Sequence, residues 1–254
     1  MSVGIEEPSV QSILLGQLAR GHELGTATGF VAVSGGRHYL VTNWHVVAGR
    51  RPDNGDLLSP TGAVPDELGV MHNVAGRLGV WEVRREPLFD SAGDPLWLEH
   101  PTHRRSVDVV ALPLEDLKGV DVYPYDPEKP GPPIRFTPSE QVSIVGFPFG
   151  KTGGGAFGIW IQGTVASEPV MNWNDLPCFL VDSRTRPGQS GSPVILQRAG
   201  SYLDESGTTN FAGDATRFIG IYSGRISRES DLGIVWKVEA LVELLNAGQR
   251  GSIP

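Results

Sequence analysis

Cysteine is nearly absent: Cys178 is the only one in 254 residues, so no disulfide can close within the chain. Small secreted scaffolds depend on such bridges. The stretch Met1-Ser2-Val3-Gly4-Ile5-Glu6-Glu7-Pro8 has neither a basic nor an apolar segment, so no signal peptide is visible there. Together these two absences point to a reducing cytosol or to an oxidising compartment entered by a signal already removed, and the cytoplasmic setting is the one expected. Basic charge is also in short supply. Lys and Arg number 21 against 29 Asp and Glu, a formal net charge of −8. Nucleic acid is thereby disfavoured as a partner, because phosphates draw clustered Lys and Arg. A basic membrane-binding patch is disfavoured for the same reason. No apolar run reaches the ~20 residues that a spanning helix needs. Internal repeats and low-complexity tracts are missing as well.

Turn formers are plentiful. The 33 glycines and 20 prolines are spread along the chain, which favours many short strands over a helical bundle. Residues 9–20 are ambiguous between strand and helix. Gly25 to Val33 and His38 to Thr42 flank the turn Ser34-Gly35-Gly36-Arg37 and are expected to form a hairpin. Residues 50–105 read as a long irregular segment with short strands at Leu78–Val83 and Pro95–Leu98. Residues 115–138 are acidic and proline-rich and look like a connector between two halves. Strands are expected again at Gln141–Gly146, Ala156–Ala166, Cys178–Ser183, Pro193–Leu196, Phe218–Gly224 and Gly233–Trp236. Residues 198–214 are expected as a loop. From Lys237 to Asn246, apolar residues at Val238, Leu241, Val242 and Leu245 share one helical face. This is expected to be the only substantial helix. The fold class is therefore all-β, two small barrels with a cleft between them and a C-terminal α-helix. The whole chain is expected to form one domain, its N-terminal barrel at about 9–118, the connector at 119–138 and the C-terminal barrel with the helix at 139–250.

Three isolated signals lie along this pattern. His45 follows the strand ending at Thr42, on the short turn Asn43-Trp44-His45-Val46-Val47-Ala48-Gly49. Asp108 opens the apolar run Val109-Val110-Ala111-Leu112, at the edge of a core where an unpaired charge is costly. A histidine N–H would satisfy it. Ser190 lies in Gly188-Gln189-Ser190-Gly191, where glycines let the backbone turn sharply. Such a turn exposes the hydroxyl and can aim the Gly188 and Ser190 N–H groups at one point, as acyl transfer needs. Taken alone, His45 also fits a packing histidine and Ser190 a plain Gly/Ser-rich turn before a strand. The order His, Asp, Ser is that of the two-barrel serine proteases and not of hydrolase or subtilisin arrangements.

The motifs carry a resemblance. Thr42-Asn43-Trp44-His45 resembles the Thr-x-x-His motif of trypsin-like peptidases, and Asp108-Val109-Val110-Ala111-Leu112 their Asp-Ile-Ala-Leu motif. Val145-Gly146-Phe147-Pro148-Phe149-Gly150 is similar to the Gly-Tyr-Pro-x-Gly loop of bacterial high-temperature-requirement proteases. Gly188-Gln189-Ser190-Gly191-Ser192-Pro193 is similar to the nucleophile motif of bacterial glutamyl endopeptidases. The resemblance spans Gly25 to Asn246 and implies a bacterial-type serine endopeptidase of chymotrypsin fold, two six-stranded Greek-key β-barrels, acting on peptide or protein substrates without a cofactor.

It implies His45, Asp108 and Ser190 as catalytic triad and the Gly188 and Ser190 N–H groups as oxyanion hole. It implies an S1 pocket between Ser183–Pro187 and Tyr222–Gly224, lined by Arg184, Thr185, Arg186, Tyr222, Ser223 and Gly224. Arg184 or Arg186 there would suit an acidic P1 side chain. Gln189 stands where animal-type members have the aspartate that pairs with a freed N-terminus, so activation by N-terminal insertion is not expected. The alternative is a catalytically silent or partner-gated module that binds extended peptides, with residues 50–105 a candidate site for a regulatory protein partner. No metal is expected: His22, His38, His72, His100 and His103 lack ligand spacing, and His100 and His103 are expected to be a solvated loop pair.

Overall fold

The computed structural model describes residues 4–211, 213–227 and 229–253. The first three residues of the stretch read for a signal peptide lie outside them. Residues 9–20 are both helix and strand: α1 (Glu7–Gln11) runs directly into β1 (Ser12–Ala19). The expected hairpin is β2 (His22–Ser34) with β3 (Arg37–Thr42), and α2 (Trp44–Ala48) follows it. The rest of the first half holds β4 (Glu67–Val74), β5 (Trp81–Pro87), β6 (Leu98–Glu99), β7 (Val110–Pro113) and β8 (Val120–Asp121). The second half holds β9 (Gln141–Gly146), β10 (Ile159–Val165), β11 (Cys178–Ser183) and β12 (Pro193–Arg198). A small hairpin, β13 (Tyr202–Leu203) and β14 (Thr209–Asn210), interrupts the loop expected at 198–214. Then come β15 (Ala215–Arg225), β16 (Leu232–Lys237), α3 (Val238–Ala247) and β17 (Gln249–Arg250).

The architecture is all-β with two barrel-like halves. The C-terminal half is a closed six-stranded barrel in the order β10-β11-β16-β15-β12-β9. The N-terminal half has nine strands, in the order β17-β6-β7-β3-β2-β1-β4-β5 with β8 on β4. Three strands raise that number above six, one of them β8, which falls within the expected connector and pairs with β4. The segment expected to be irregular contributes β4, whose Glu-Leu-Gly-Val-Met-His-Asn-Val sequence is buried on both faces over much of its length and so lacks the alternation that betrays a half-exposed strand. The end of the chain also returns to the first half, where β17 pairs with β6.

Apolar clusters fill each half, and a third joins them. All six strands of the closed barrel contribute to its interior, through Val142, Ile144, Val165, Phe179, Val181, Val194, Ile219, Tyr222 and Val235 among others. The joining cluster brings Phe30 and Val41 of the first half against Phe218 and Ile221 of the second, and Ala240, Leu241 and Leu244 of α3. Hydrophobic burial therefore fixes the two halves against each other and sets the width of the cleft. No helix among the described residues is long and apolar enough to cross a membrane.

Glu99 ties the tail to the wall of the site. Its Oε1 accepts from Trp44 Nε1 at 3.0 Å, Trp97 Nε1 at 3.3 Å and the Ser252 N–H at 3.0 Å. Its Oε2 pairs with Arg104 at 3.1 Å. A buried carboxylate with this many partners is held firmly, and it holds the start of α2 with it.

The pair His100 and His103 is not solvated as expected. His100 is buried; its Nδ1 accepts the N–H groups of Thr102 and His103, and its Nε2 lies 3.2 Å from Glu243 of α3. Burial lowers its pKa, and Glu243 opposes that shift. The residue fastens the helix to the first half. Sequence spacing could not show this, because the partner is more than a hundred residues away.

Candidate active site

His45 sits in the first turn of α2. Asn43 lies between β3 and α2, and its side chain does not cap the helix but donates to the Asp108 carbonyl at 2.6 Å. The turn closes at Gly49, which has φ +61 and donates its N–H to the His45 carbonyl at 3.0 Å. Trp44, anchored on Glu99, fixes the other side. His45 is thus oriented by backbone on both sides before any catalytic partner is considered.

Asp108 lies two residues before β7 and is 3% exposed. Its carboxylate is saturated from three directions. Oδ1 accepts the His45 backbone N–H at 2.9 Å, and Oδ2 lies 2.7 Å from His45 Nδ1. Oδ2 also accepts the Ser223 hydroxyl at 2.5 Å. A carboxylate can only accept, so His45 Nδ1 carries the proton and Nε2 keeps its lone pair. Burial works to lower the His45 pKa, but the Asp108 charge and hydrogen bond outweigh it and the net shift is upward.

The Ser190 turn is clamped to the first half by Thr28 of β2. The Thr28 N–H donates to the Ser190 carbonyl at 2.9 Å, and the Thr28 hydroxyl donates to the Gly188 carbonyl at 2.8 Å. The same hydroxyl accepts the Phe147 N–H at 3.0 Å, while the Phe149 N–H donates to the Pro187 carbonyl at 2.6 Å. The loop after β9 therefore supports the turn from the side. Gly188 has φ +95, and a Cβ there would stand 2.4 Å from the Phe147 carbonyl oxygen, so only glycine fits. Among the described residues, the N–H groups of Gly188 and Ser190 make no hydrogen bond to the protein. Both are free to donate to an oxyanion.

His45 and Ser190 line one cavity of about 180 Å³, with Leu24, Ala27, Leu58 and Pro60. The loop carrying Leu58 and Pro60 was not anticipated as part of the site, since its composition is that of an ordinary turn. The Ser190 hydroxyl donates to the Ser223 carbonyl at 3.0 Å.

Residues 27–202 match the model of the trypsin-like peptidase domain, over half of the chain. The chain belongs to the trypsin-like peptidase family. It is a serine-type endopeptidase, and its substrates are peptides or proteins. Two solved structures share the fold of this trypsin-like peptidase. The serine endoprotease from Yersinia pestis is 12% identical, with a TM-score of 0.52 over 96% of this chain and 67% of that one. The thermostable serine protease AL20 from an extremophilic microorganism is 11% identical, with a TM-score of 0.51 over 95% of this chain and 98% of that one. The active form of the Rv3671c protease from M. tuberculosis is 18% identical, with a TM-score of 0.48 over 96% and 84% of the two chains. No curated protein matches the chain in sequence.

The residues expected to line the peptidase's S1 pocket differ in exposure. Arg184 and Arg186 are both exposed, and the Arg186 guanidinium donates to the Thr185 carbonyl at 2.8 Å. Thr185 and Tyr222 are buried and share a hydrogen bond through their hydroxyls. Ser223 is the extra residue of a β-bulge: Tyr222 pairs with Val235 and Gly224 with Ile234, leaving Ser223 between. A bulge re-aims a side chain locally. Here it sends the Ser223 hydroxyl to Asp108, a role beyond the substrate contact expected of it. Thr28, Asn43 and the Ser223 hydroxyl were missed as site residues. Their only sequence signal is a polar residue within an apolar strand or at its end.

Proposed function

We propose that this endopeptidase cuts peptide bonds with His45, Asp108 and Ser190 as a triad, through an acyl-enzyme intermediate. The observation that carries the reading is the carboxylate of Asp108, with one oxygen on the His45 N–H and the other on its Nδ1. An imidazole held in that way has its Nε2 lone pair directed at the cavity that also contains Ser190. For attack, the Ser190 hydroxyl turns from the Ser223 carbonyl to His45 Nε2. Its oxygen then bonds to the scissile carbonyl carbon while the proton passes to Nε2. The carbonyl oxygen becomes the oxyanion and takes up the Gly188 and Ser190 N–H groups, a contribution of roughly 3 kcal/mol for a donor of this kind. Collapse breaks the C–N bond and His45 returns the proton to the leaving amine. Water, deprotonated by His45, then releases the acyl group.

The hydrogen bond from Ser190 to Ser223 supports a second form of the same reading, in which a bound substrate or regulatory partner turns the serine toward His45. A fluorophosphonate probe tests both. Labelling of the wild type alone, lost in a folded Ser190→Ala variant, is the expected result. A wild type that labels only with a partner present would indicate gating. A folded wild type that never labels would remove the triad and leave a peptide-binding module.

A further inference from the structure

We infer that Tyr222 closes the floor of the S1 pocket, so that this peptidase accepts only small uncharged side chains, those of alanine, serine or glycine, at P1. The inference rests on the proposed triad for the place where cleavage occurs. A substrate strand laid along Tyr222–Gly224, with its scissile carbonyl at Ser190, directs its P1 side chain between that strand and Ser183–Pro187. The space beyond is the end of the closed barrel.

That end is full. Tyr222 is 2% exposed and Thr185 1% exposed, one on each side of the expected pocket. The Tyr222 ring belongs to the barrel's interior cluster with Phe179, Val181 and Val235. It crosses to the neighbouring strand and fills the space that Gly233 leaves. A Cβ on Gly233 would stand 2.4 Å from Tyr222 Cε2 and 2.9 Å from its hydroxyl oxygen. The hydroxyl then ends on Thr185 Oγ1, which pins the ring at its far tip as well as at its base. A phenol held by packing along its length and by a buried hydrogen bond does not swing aside cheaply, because the Thr185 hydroxyl would lose its partner.

Charge at P1 meets no preferred sign at that floor: Arg225 and Asp231, of opposite charge, both act on the Tyr222 hydroxyl. Arg184 and Arg186 are exposed, and Arg186 is bonded to the Thr185 carbonyl. A carboxylate, or a Lys or Arg head group, brought against the Tyr222 ring would be desolvated there. A large apolar side chain meets the ring itself. A methyl or hydroxymethyl group is what remains.

The test is kcat/KM on peptides that differ only at P1, bearing Ala, Ser, Leu, Phe, Glu or Arg. The wild type should favour Ala over Phe by about 100-fold or more, within the range that steric exclusion from a pocket produces. Tyr222→Ala should reverse that ratio toward Leu and Phe. Tyr222→Phe keeps the ring, and so the Ala preference, whatever it does to the rate. If Tyr222→Ala fails to fold by thermal melting, Tyr222→Val serves in its place. Efficient cleavage after Phe, Glu or Arg by the wild type overturns the inference. So does a folded Tyr222→Ala or Tyr222→Val variant whose P1 ratio is unchanged. Failure of the triad itself is read separately, as absence of fluorophosphonate labelling. Binding of the same peptides to the Ser190→Ala protein reports on the pocket without chemistry, and equal affinity for P1 Ala and P1 Phe there also overturns it.

Discussion

The Ser190 hydroxyl donates to the Ser223 carbonyl at 3.0 Å, while the Ser223 hydroxyl donates to Asp108 at 2.5 Å. One bulged residue thus contacts both ends of the proposed triad through two different groups. Its carbonyl meets the nucleophile and its side chain meets the acid. The bulge makes this possible, because a residue in regular register would have its carbonyl committed to the ladder.

Replacing Ser223 by Ala leaves the carbonyl in place and removes only the hydroxyl. Asp108 then loses one of its donors, and the imidazole is held less firmly. We expect kcat to fall about tenfold, the scale of one net hydrogen bond, with KM unchanged. Ser223→Thr, which keeps the hydroxyl, should recover most of the loss. A change confined to KM would show that the hydroxyl serves substrate binding and does not position the acid.

The pH profile should carry the mark of His45. The base must be neutral to take the Ser190 proton, and its pKa is raised, since Asp108 outweighs the effect of burial. Activity is therefore lost as pH falls through a value above the ordinary imidazole figure of about 6.5. Asp108→Asn removes the charge that raises it and leaves burial unopposed. The acidic limb of kcat/KM should move to lower pH, and the rate should fall by about 10⁴ through the wrong tautomer. An unmoved limb would mean that another group controls it.

Gly191, just past the nucleophile, has φ +85. A Cβ there would stand 2.1 Å from the Thr28 carbonyl oxygen and 2.5 Å from Thr42 Oγ1. Gly191→Ala combines left-handed strain with displacement of β2, and should cost at least about 1–3 kcal/mol of stability. A lower melting temperature together with lost probe labelling is the expected outcome. Thr28 holds the Ser190 turn, so the two effects should appear together. Gly76, exposed in a turn at φ +67 with nothing within reach of a Cβ, is the control: Gly76→Ala should leave labelling intact.

Much of the fold was legible because its signals are local. The hairpin of β2 and β3 follows from two β-rich runs around Ser34-Gly35-Gly36-Arg37, and α3 from apolar spacing along one helical face. β11 was placed residue for residue: Pro177 precedes it, and its apolar run gives way to Asp182 and Ser183 at its end. β4 was not legible: burial on both faces erased its alternation. β17 was not either, because two residues have no period at all and their pairing with β6 depends on where α3 delivers the chain.

For the site, the types and order of His45, Asp108 and Ser190 were set by sequence alone, as was the need for glycine at 188 and 191. A turn with positive φ admits little else, and that constraint is written in the residue itself. The contacts among these residues were decided only by tertiary structure. Thr28 on the nucleophile turn, Ser223 on Asp108 and Tyr222 across the barrel mouth to Thr185 all join segments far apart in the chain, and a polar or aromatic residue in a strand does not announce which distant group will satisfy it. The Ser190 turn is thus a local feature whose surroundings were fixed by tertiary packing.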